Sequence, residues 1–265
     1  MKCRFIDTGF NDCYANMAID EAILHYCDIP VLRVYGWRPA GITVGYNQDI
    51  QEINLDYCAN NKIDIVRRIT GGKAIFHDKE ITYSFILPEN INLLPKEINE
   101  SYRIIANALM ITFNKISISV ELKKVPERIA TSICFNSSNW YELLVNNKKI
   151  SGSAQRRMQG KILQHGSILF DFDYEKNILL FNSNNPIDNI EDLRKRITSL
   201  NKELKNNKIN YKEFAEALKF GFKENFNFEM IDDVLTDAEI KLAEKLRKEK
   251  YLTEEWNHRL VAKTI

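Results

Sequence analysis

The spacing of apolar residues predicts a chain that begins with short strands around one helix and becomes more helical toward its end. Residues 15–26 repeat apolar positions at intervals of three and four, which is typical of an amphipathic helix. Short apolar runs bounded by turn residues predict strands at Val31–Gly36, Ile42–Tyr46, Ile63–Arg67, Ala74–His77 and Ile81–Leu87. The first third of the chain is therefore expected to be rich in sheet.

The middle of the chain predicts one long helix followed by an antiparallel meander. Apolar residues spaced by three and four indicate a helix over Pro95–Ile116, and the alternation after it indicates a strand as far as Leu122. Two turns, Asn146-Asn147 and Gln159-Gly160, are expected to join the meander because these residues tolerate positive φ. The segments of the meander are Tyr141–Val145, Lys148–Gln155 and Lys161–Asp173.

The last third of the chain is mostly helical in pattern, with a cap at Asn210 and a capping box from Thr236 to Glu239. Strands first and helices last, without strict alternation, predict an α+β fold with a mixed β-sheet core flanked by helices. We find no repeat or linker. Residues 1–265 are therefore expected to form a single domain, with a sheet-rich core over about 1–200 and a helical part over about 205–265.

Composition narrows the class of protein. The chain carries 37 Lys and Arg against 36 Asp and Glu, so it lacks the one-sided positive field of a general nucleic-acid binder. Charge near the first residues interrupts any signal peptide, and no stretch approaches the ~18 apolar residues of a membrane span. Five cysteines without a C-x-x-C pair and only four histidines argue against a disulfide framework or a zinc site. We therefore expect a cytoplasmic protein that binds no metal.

The run Arg67-Arg68-Ile69-Thr70-Gly71-Gly72-Lys73-Ala74 is the first candidate for chemistry. Paired glycines let backbone N–H groups approach a ligand closely, and three cations surround this turn. The run is not a Walker loop, because the pattern G-x-x-x-x-G-K-[ST] is absent. A hairpin with solvated charges is the alternative that the spacing leaves open.

Two histidines are further candidates. His77 precedes Asp78 at a strand end, where a surface turn is the simpler interpretation. His165 lies between apolar Ile162-Leu163 and Ile168–Phe170, so it is expected in or near the core of a strand. A buried imidazole can serve a site or simply satisfy its hydrogen bonds within the core, and both readings stay open.

Lys149 follows the Asn146-Asn147 turn on a predicted strand. Strand alternation places its side chain on one face with Ser151 and Ser153, and places Gly152 and Ala154 on the other. A buried lysine can lose its proton readily and act as a base, whereas a lysine next to a turn is usually solvated.

Cys134 lies in a polar, uncharged stretch shortly before the strand of Lys149. Most lone cysteines are inert packed thiols, and that alternative stays open. Reactive thiols are partly exposed and need a nearby cation, so this placement strengthens the case for a nucleophile. We expect packing roles for Cys3, Cys27 and Cys58.

Four motifs together resemble the biotin/lipoate protein ligase superfamily. They are Asn16-Met17-Ala18-Ile19-Asp20-Glu21-Ala22, Arg67-Arg68-x-Thr70-Gly71-Gly72-x-Ala74-x-Phe76-His77-Asp78, Lys149-Ile150-Ser151-Gly152-Ser153-Ala154-Gln155 and Gln164-His165-Gly166-Ser167. Three more look most like the LipM-type octanoyltransferases within it: Cys134-Phe135-x-Ser137-x-x-Trp140-Tyr141-Glu142-Leu143, Glu80-Ile81-Thr82-Tyr83-Ser84 and the terminal Glu249-Lys250-Tyr251 to Trp256-Asn257. The resemblance covers most of the chain and implies the catalytic-domain fold of that superfamily.

The resemblance implies a transferase that moves an octanoyl group from acyl carrier protein to a lysine of a lipoyl domain or of the glycine cleavage H protein. It implies Cys134 as the acyl-accepting nucleophile and Lys149 as its basic partner. The substrate-binding residues it implies are Arg68, Thr70, Gly71, Gly72, Lys73, Ala74, His77, Ser151, Gly152, Ser153, Ala154, His165 and Gly166. Because a thioester already supplies an activated acyl group, no nucleotide or other cofactor is expected. We expect a monomer that binds neither nucleic acid nor membranes.

Three alternatives stay open beside this interpretation. An ATP-dependent lipoate–protein ligase of the same fold is disfavoured by Cys134, and a silent acyl-binding module by the intact pair of Cys134 and Lys149. An octanoyl amidotransferase acting between lipoyl domains also uses a cysteine and is poorly separated by sequence. Two departures from the family pattern bear on the pocket: Lys73 follows the double glycine, and Ser138 stands where proline is usual.

Overall fold

The computed structural model describes residues 1–122, 142–182, 189–205 and 208–259. The predicted nucleophile Cys134 lies outside these residues. The strands are β1 (Lys2–Asn11), β2 (Val31–Trp37), β3 (Gly41–Val44), β4 (Asp64–Arg67), β5 (Ile75–His77), β6 (Glu80–Pro88), β7 (Glu121–Leu122), β8 (Leu143–Val145), β9 (Lys148–Met158), β10 (Lys161–Leu169) and β11 (Glu229–Asp233). The helices are α1 (Cys13–Tyr26), α2 (Leu55–Asn60), α3 (Ile98–Lys115), α4 (Tyr174–Leu180), α5 (Ile190–Arg196), α6 (Leu200–Leu204), α7 (Tyr211–Phe226), α8 (Asp237–Leu246) and α9 (Glu254–Asn257), with a π-helical turn at Arg247–Tyr251 after α8. Among the described residues, no helix combines the length and apolar character needed to cross a bilayer.

The described strands form two sheets. The larger has eight strands in the order β11-β1-β2-β6-β10-β9-β8-β7, and the smaller has the order β4-β3-β5. In the larger sheet, β1 runs parallel to β2 and β11, whereas the strands from β2 to β7 pair antiparallel. In the smaller sheet, β3 is parallel to β4 and antiparallel to β5. The predicted α+β class with a mixed sheet is confirmed.

Helices cover both faces of the larger sheet. One face packs against α3 and α7 through a core that includes Tyr83, Phe85, Phe113 and Phe222. The opposite face packs against α1 and α8. Because α1 lies between the sheet and α8, most of its residues are buried, including polar ones, and the helix lacks the solvated face of the amphipathic helix predicted for it.

Two elements differ from the predictions. The strand expected after α3 is reduced to β7, because Ser117 adopts a positive φ of 62° that breaks the extended run. The C-terminal part, expected to be mostly helix, also contributes β11 to the edge of the larger sheet. This strand is half exposed and mainly acidic, so it lacks the apolar alternation by which strands are recognised.

Candidate active site

A narrow pocket lies between the larger sheet, the smaller sheet and α1. Its floor is a row of small side chains on three neighbouring strands, where Gly152 pairs with Ser167 and Ser167 pairs with Thr82. The pocket encloses about 420 Å³ of space outside the atoms, part of it open to solvent. Eight sequence-predicted site residues line it: Arg68, Gly72, His77, Gly152, Ser153, Ala154, His165 and Gly166.

The first polar chain in the pocket wall is centred on His165. Its Nε2 lies 2.7 Å from Thr70 Oγ1, and its Nδ1 lies 3.2 Å from Asp20 Oδ2. Burial opposes ionisation of Asp20, but the charge of Arg33, 2.6 Å away, and the hydrogen bond from His165 hold its pKa below the usual value. In the neutral ring, Nδ1 donates its hydrogen to the Asp20 carboxylate, so Nε2 carries no hydrogen and accepts from the Thr70 hydroxyl. Burial lowers the pKa of His165 despite Asp20, which favours this neutral ring.

The second polar chain is centred on His77 and has the same order of groups. Its Nε2 lies 2.8 Å from Thr43 Oγ1, and its Nδ1 lies 2.7 Å from Glu80 Oε1. The same oxygen accepts hydrogen bonds from Thr82 and Ser167 at 2.8 and 2.7 Å. Both ring nitrogens of this histidine therefore have partners in the wall.

Arg68 joins the two chains. Its guanidinium donates to Thr43 Oγ1 through Nη1 and to Thr70 Oγ1 through Nε, each at 3.1 Å. The side chain is almost fully buried. We name the joined groups Thr43, His77, Glu80, Thr70, His165, Asp20 and Arg68 the relay wall.

Arg68 also holds the glycine turn. Its Nη2 donates to the carbonyl oxygens of Gly71 and Lys73 at 2.7 and 2.9 Å. Gly72 has φ +93°, and a Cβ on Gly45 would lie 1.8 Å from the carbonyl oxygen of Gly72. The glycines of this turn thus permit a positive φ and a close backbone approach.

Other sequence-predicted residues lie around the pocket without lining it. Lys73 forms an ion pair with Glu52 at 2.9 Å, and Ala74 is buried in the core under the smaller sheet. Ser151 pairs with the core residue Ile168 and is buried.

Lys149 is buried at the edge of the pocket. Its Nζ lies 2.6 Å from Glu142 Oε1, and the two side chains are 4% and 5% exposed. A Cβ on Gly152 would lie 3.1 Å from Lys149 Cε and 3.4 Å from its Nζ. The end of the lysine therefore lies over the glycine that forms one end of the pocket floor.

The face predicted for Lys149 is wrong. A β-bulge shifts the pairing of β8 and β9, so Leu143 pairs with Ser151 but Leu144 pairs with Lys149. The extra residue, Ile150, places Ser151 on the core face. Ser153, although it borders the pocket, also directs its hydroxyl to the core residue Tyr83, 2.8 Å from the phenol oxygen. Lys149 instead shares the pocket face with Gly152.

Trp37 borders the pocket over β6. Its indole stacks on His77 with ring centroids 3.8 Å apart and donates to Thr82 Oγ1 at 2.8 Å. The floor from Gly152 to Thr82 crosses two strand intervals of about 4.8 Å, so it measures about 10 Å.

Comparison with known proteins assigns the chain to a family. The model of the lipoyl protein ligase A/B catalytic domain matches residues 12–223. The chain belongs to this family. It is 41% identical over 254 residues to the octanoyltransferase LipM of Clostridioides difficile, covering 91% of this chain and 93% of that one. It is 36% identical over 274 residues to the octanoyltransferase LipM of Halalkalibacterium halodurans, covering 97% and 98%.

Solved structures place the fold in the same family. A crystal structure of lipoate-protein ligase A bound with ATP superposes with a TM-score of 0.81 at 25% identity, covering 97% of this chain and 99% of that one. A putative lipoate protein ligase from T. acidophilum gives 0.80 at 25%, covering 98% and 100%. The expected catalytic-domain fold and the resemblance to octanoyltransferases are confirmed.

Four of the five cysteines lie in the described part of this family member, and all four are buried. Burial raises the pKa of Cys3 to about 12 and that of Cys27 and Cys58 to about 11. Burial and nearby carboxylates raise the pKa of Cys13 as well. These thiols are protonated near neutral pH, which agrees with packing roles.

Three carboxylates were not predicted as site residues, although each lies in a motif quoted above. Asp20, Glu80 and Glu142 pair with His165, His77 and Lys149 respectively. On α1, Asp20 lies one helical turn from the apolar residues Met17, Ile23 and Leu24. A carboxylate on such an apolar face requires a buried partner, and that signal could have identified it. The spacing around Thr43 and Trp37 carried no such signal.

Proposed function

We propose that the protein transfers an octanoyl group from acyl carrier protein to a lysine of a lipoyl domain or of the glycine cleavage H protein, through a thioester on Cys134, in lipoate biosynthesis. One observation carries this proposal: buried Lys149 lies at the end of a narrow, mainly apolar pocket in a chain similar over nearly its whole length to octanoyltransferases.

The floor of the pocket matches an octanoyl chain in length. The ring nitrogens of His77 and His165 are all hydrogen-bonded within the relay wall, so these two rings present no unpaired nitrogen to the pocket. An extended chain of eight carbons, with bonds of about 1.5 Å, spans about 9 Å. The floor is about 10 Å long by the strand spacing. Each buried methylene contributes ~0.8 kcal/mol to binding.

The charge at the end of the floor fits a thiolate mechanism. The Cys134 thiolate attacks the carbonyl carbon of the octanoyl thioester, the bond from that carbon to the carrier sulfur breaks, and the carrier thiolate takes up the proton that Cys134 had released. The acceptor amine then attacks the new thioester, the Cys134 thiolate leaves, and the amine gives up its extra proton as the amide forms. As an ammonium, Lys149 stabilises the thiolate in both steps; in the second step it gives its proton to the departing Cys134 thiolate and then takes the proton that the amine loses. Cys134 precedes Glu142, the partner of Lys149, by only eight residues, which supports this assignment.

Intact-mass spectrometry tests the thioester directly. The protein is mixed with octanoyl-loaded carrier protein without nucleotide, and we expect one hydroxylamine-labile octanoyl adduct on the peptide that contains Cys134. Cys134→Ser is expected to fold but to form no adduct and modify no acceptor, because a hydroxyl lacks thiolate character. The buried Cys58→Ser serves as the matched control and should acylate normally. An adduct on a different cysteine, or normal transfer by Cys134→Ser, contradicts the mechanism.

A second experiment separates the alternative activities. In apyrase-treated buffer, octanoyl carrier protein is compared as donor with an octanoylated lipoyl domain and with free octanoate. We expect modification of the acceptor with carrier protein alone. Product that requires free acid, ATP and magnesium indicates a ligase instead. Product only from the octanoylated lipoyl domain indicates an amidotransferase.

A further inference from the structure

Glu142 contacts Lys149 but has no role in the reaction described above. It immediately precedes β8, and its carboxylate reaches across the bulge in β9 to Lys149 Nζ at 2.6 Å. Both groups are nearly inaccessible to water. A buried ion pair of this kind strongly constrains the position of its two side chains when its geometry is good.

The backbone of Lys149 is held independently of this carboxylate. Its carbonyl oxygen accepts a hydrogen bond from the backbone N–H of Thr198 at 2.9 Å, and it forms a bridge with Ile197. The long side chain still has several rotatable bonds beyond the fixed backbone. Glu142 on one side and Gly152 on the other therefore direct where the ammonium lies.

Gly152 leaves room for the lysine to lie over the pocket floor. A Cβ at this position would approach Lys149 Cε to 3.1 Å, closer than ordinary van der Waals contact. The carboxylate of Glu142 contacts the ammonium, and a nearby negative charge favours the charged form of a buried lysine. Both the direction of the side chain and its charge are thus influenced by this carboxylate.

We propose that Glu142 is a positioning residue that holds the Lys149 ammonium at the Gly152 end of the pocket, in its charged form, for the step at the acyl carbonyl. The inference rests on the proposed transferase function. It assigns Glu142 an effect on the rate of the chemical step and little effect on the binding of the carrier protein, because Glu142 acts through Lys149.

The test compares three variants. Glu142→Gln keeps the size and a carbonyl acceptor but removes the charge, whereas Glu142→Asp keeps the charge on a shorter side chain. Glu121→Gln is the matched control, since this exposed glutamate lies on β7, the strand next to β8. Single-turnover acylation by octanoyl carrier protein gives the rate constant and the half-saturating concentration for each variant.

We expect Glu142→Gln to lower the acylation rate constant about tenfold or more, where tenfold corresponds to 1.36 kcal/mol of transition-state stabilisation. The half-saturating concentration should change less than twofold. Glu142→Asp should recover most of the rate, and Glu121→Gln should match the unsubstituted protein. An unchanged rate constant in Glu142→Gln, or a change confined to the half-saturating concentration, overturns the proposal.

A second readout requires neither Cys134 nor an acyl substrate. Reductive methylation of Lys149, followed by peptide mass spectrometry at fixed pH, measures how much of the lysine is neutral and accessible. We expect faster methylation of Lys149 in Glu142→Gln and an unchanged rate in Glu121→Gln. Equal methylation of Lys149 in Glu142→Gln and Glu121→Gln contradicts the proposal. Methylation as fast in Glu142→Asp as in Glu142→Gln contradicts it too, because Glu142→Asp keeps the charge. If no octanoyl adduct forms on the unsubstituted protein, the proposed function is contradicted. The methylation rates of Lys149 still test the role of Glu142 in that case.

Discussion

The relay wall and the corner formed by Lys149 and Glu142 both bury charge beside the same pocket, but they distribute it differently. In the relay wall, Asp20 is shared among Arg33, Tyr35 and His165, and its hydrogen bonds connect α1 to two strands, β2 and β10. At the corner, a single close ion pair lies over the end of the pocket floor. The wall holds both of its histidine rings by hydrogen bonds within a network, whereas the corner places a charged nitrogen next to the space for a ligand.

This difference assigns the two regions different roles: the relay wall shapes the pocket, and the corner takes part in the reaction. A network whose polar atoms bond to one another holds its side chains in place and leaves an apolar surface. A lysine at the pocket end can interact with a reacting group, because charge beside a low-dielectric cavity acts strongly. Substitutions in the wall should therefore affect stability and chain selection, and substitutions at the corner should affect rate.

Replacing Lys149 should produce the largest effect. We expect Lys149→Ala to lower the rate of octanoyl transfer by about 10²- to 10⁴-fold, the usual contribution of a positioned proton-transfer group. Lys148→Ala is the matched control and should retain activity, because alternation directs its side chain to the opposite side of the strand. Transfer assays on folded samples of both variants measure the effect. Equal, small losses in the two variants would remove Lys149 from the mechanism.

Asp20→Asn should cause the largest loss of stability in the relay wall. The substitution leaves the buried guanidinium of Arg33 without its charged partner, which typically costs about 3–5 kcal/mol. Glu80→Gln should cost less, since Glu80 accepts hydrogen bonds mainly from neutral groups and an amide oxygen can still accept them. Urea unfolding of both variants measures the difference. A smaller loss for Asp20→Asn than for Glu80→Gln contradicts this ranking of the two polar chains.

Trp37→Leu should change chain selection, because the indole borders the pocket above Thr82. A decanoyl chain has two methylenes more than an octanoyl chain, each worth about 0.8 kcal/mol when buried. We therefore expect the preference for decanoyl over octanoyl carrier protein to rise roughly fifteenfold in Trp37→Leu. Competition between the two donors, read by mass spectrometry, measures the ratio. Trp256→Leu is the control, since its indole donates to the carbonyl of Arg67 outside the pocket. An unchanged ratio in Trp37→Leu would show that another residue limits the chain.

The smallest expected effect is a pH dependence of stability from His165. Burial holds the pKa of the folded imidazole below its ordinary value, so the unfolded chain binds more protons between the two values. The contribution of His165 is fully present above about pH 6.5, the usual value for histidine, and is lost as the pH falls through the lowered pKa. Urea unfolding at several pH values should show a shallower dependence for His165→Gln. The exposed His25→Gln should keep the dependence of the unsubstituted protein.

Local patterns predicted most of the elements that hold the site. The turn at Asn146-Asn147 has φ values of 50° and 63°, and the capping box from Thr236 to Glu239 closes as expected. Turns and helix caps depend on residues that are neighbours in the sequence, so they can be predicted from the sequence. The face of Lys149 was mispredicted because the bulge arises from pairing with β8, a partner that the alternation rule does not include.

The motifs by themselves determined the family, the fold class and the residue types available for chemistry. Tertiary structure decided which of them meet: Asp20, Thr70 and His165 come from α1, the glycine turn and β10, and only the packing of these elements makes a hydrogen-bonded chain of them. It also gave Arg68 a role within the wall and paired Lys149 with Glu142. The physical reason is that a buried polar group must find partners wherever the fold brings them, and sequence distance does not limit that choice.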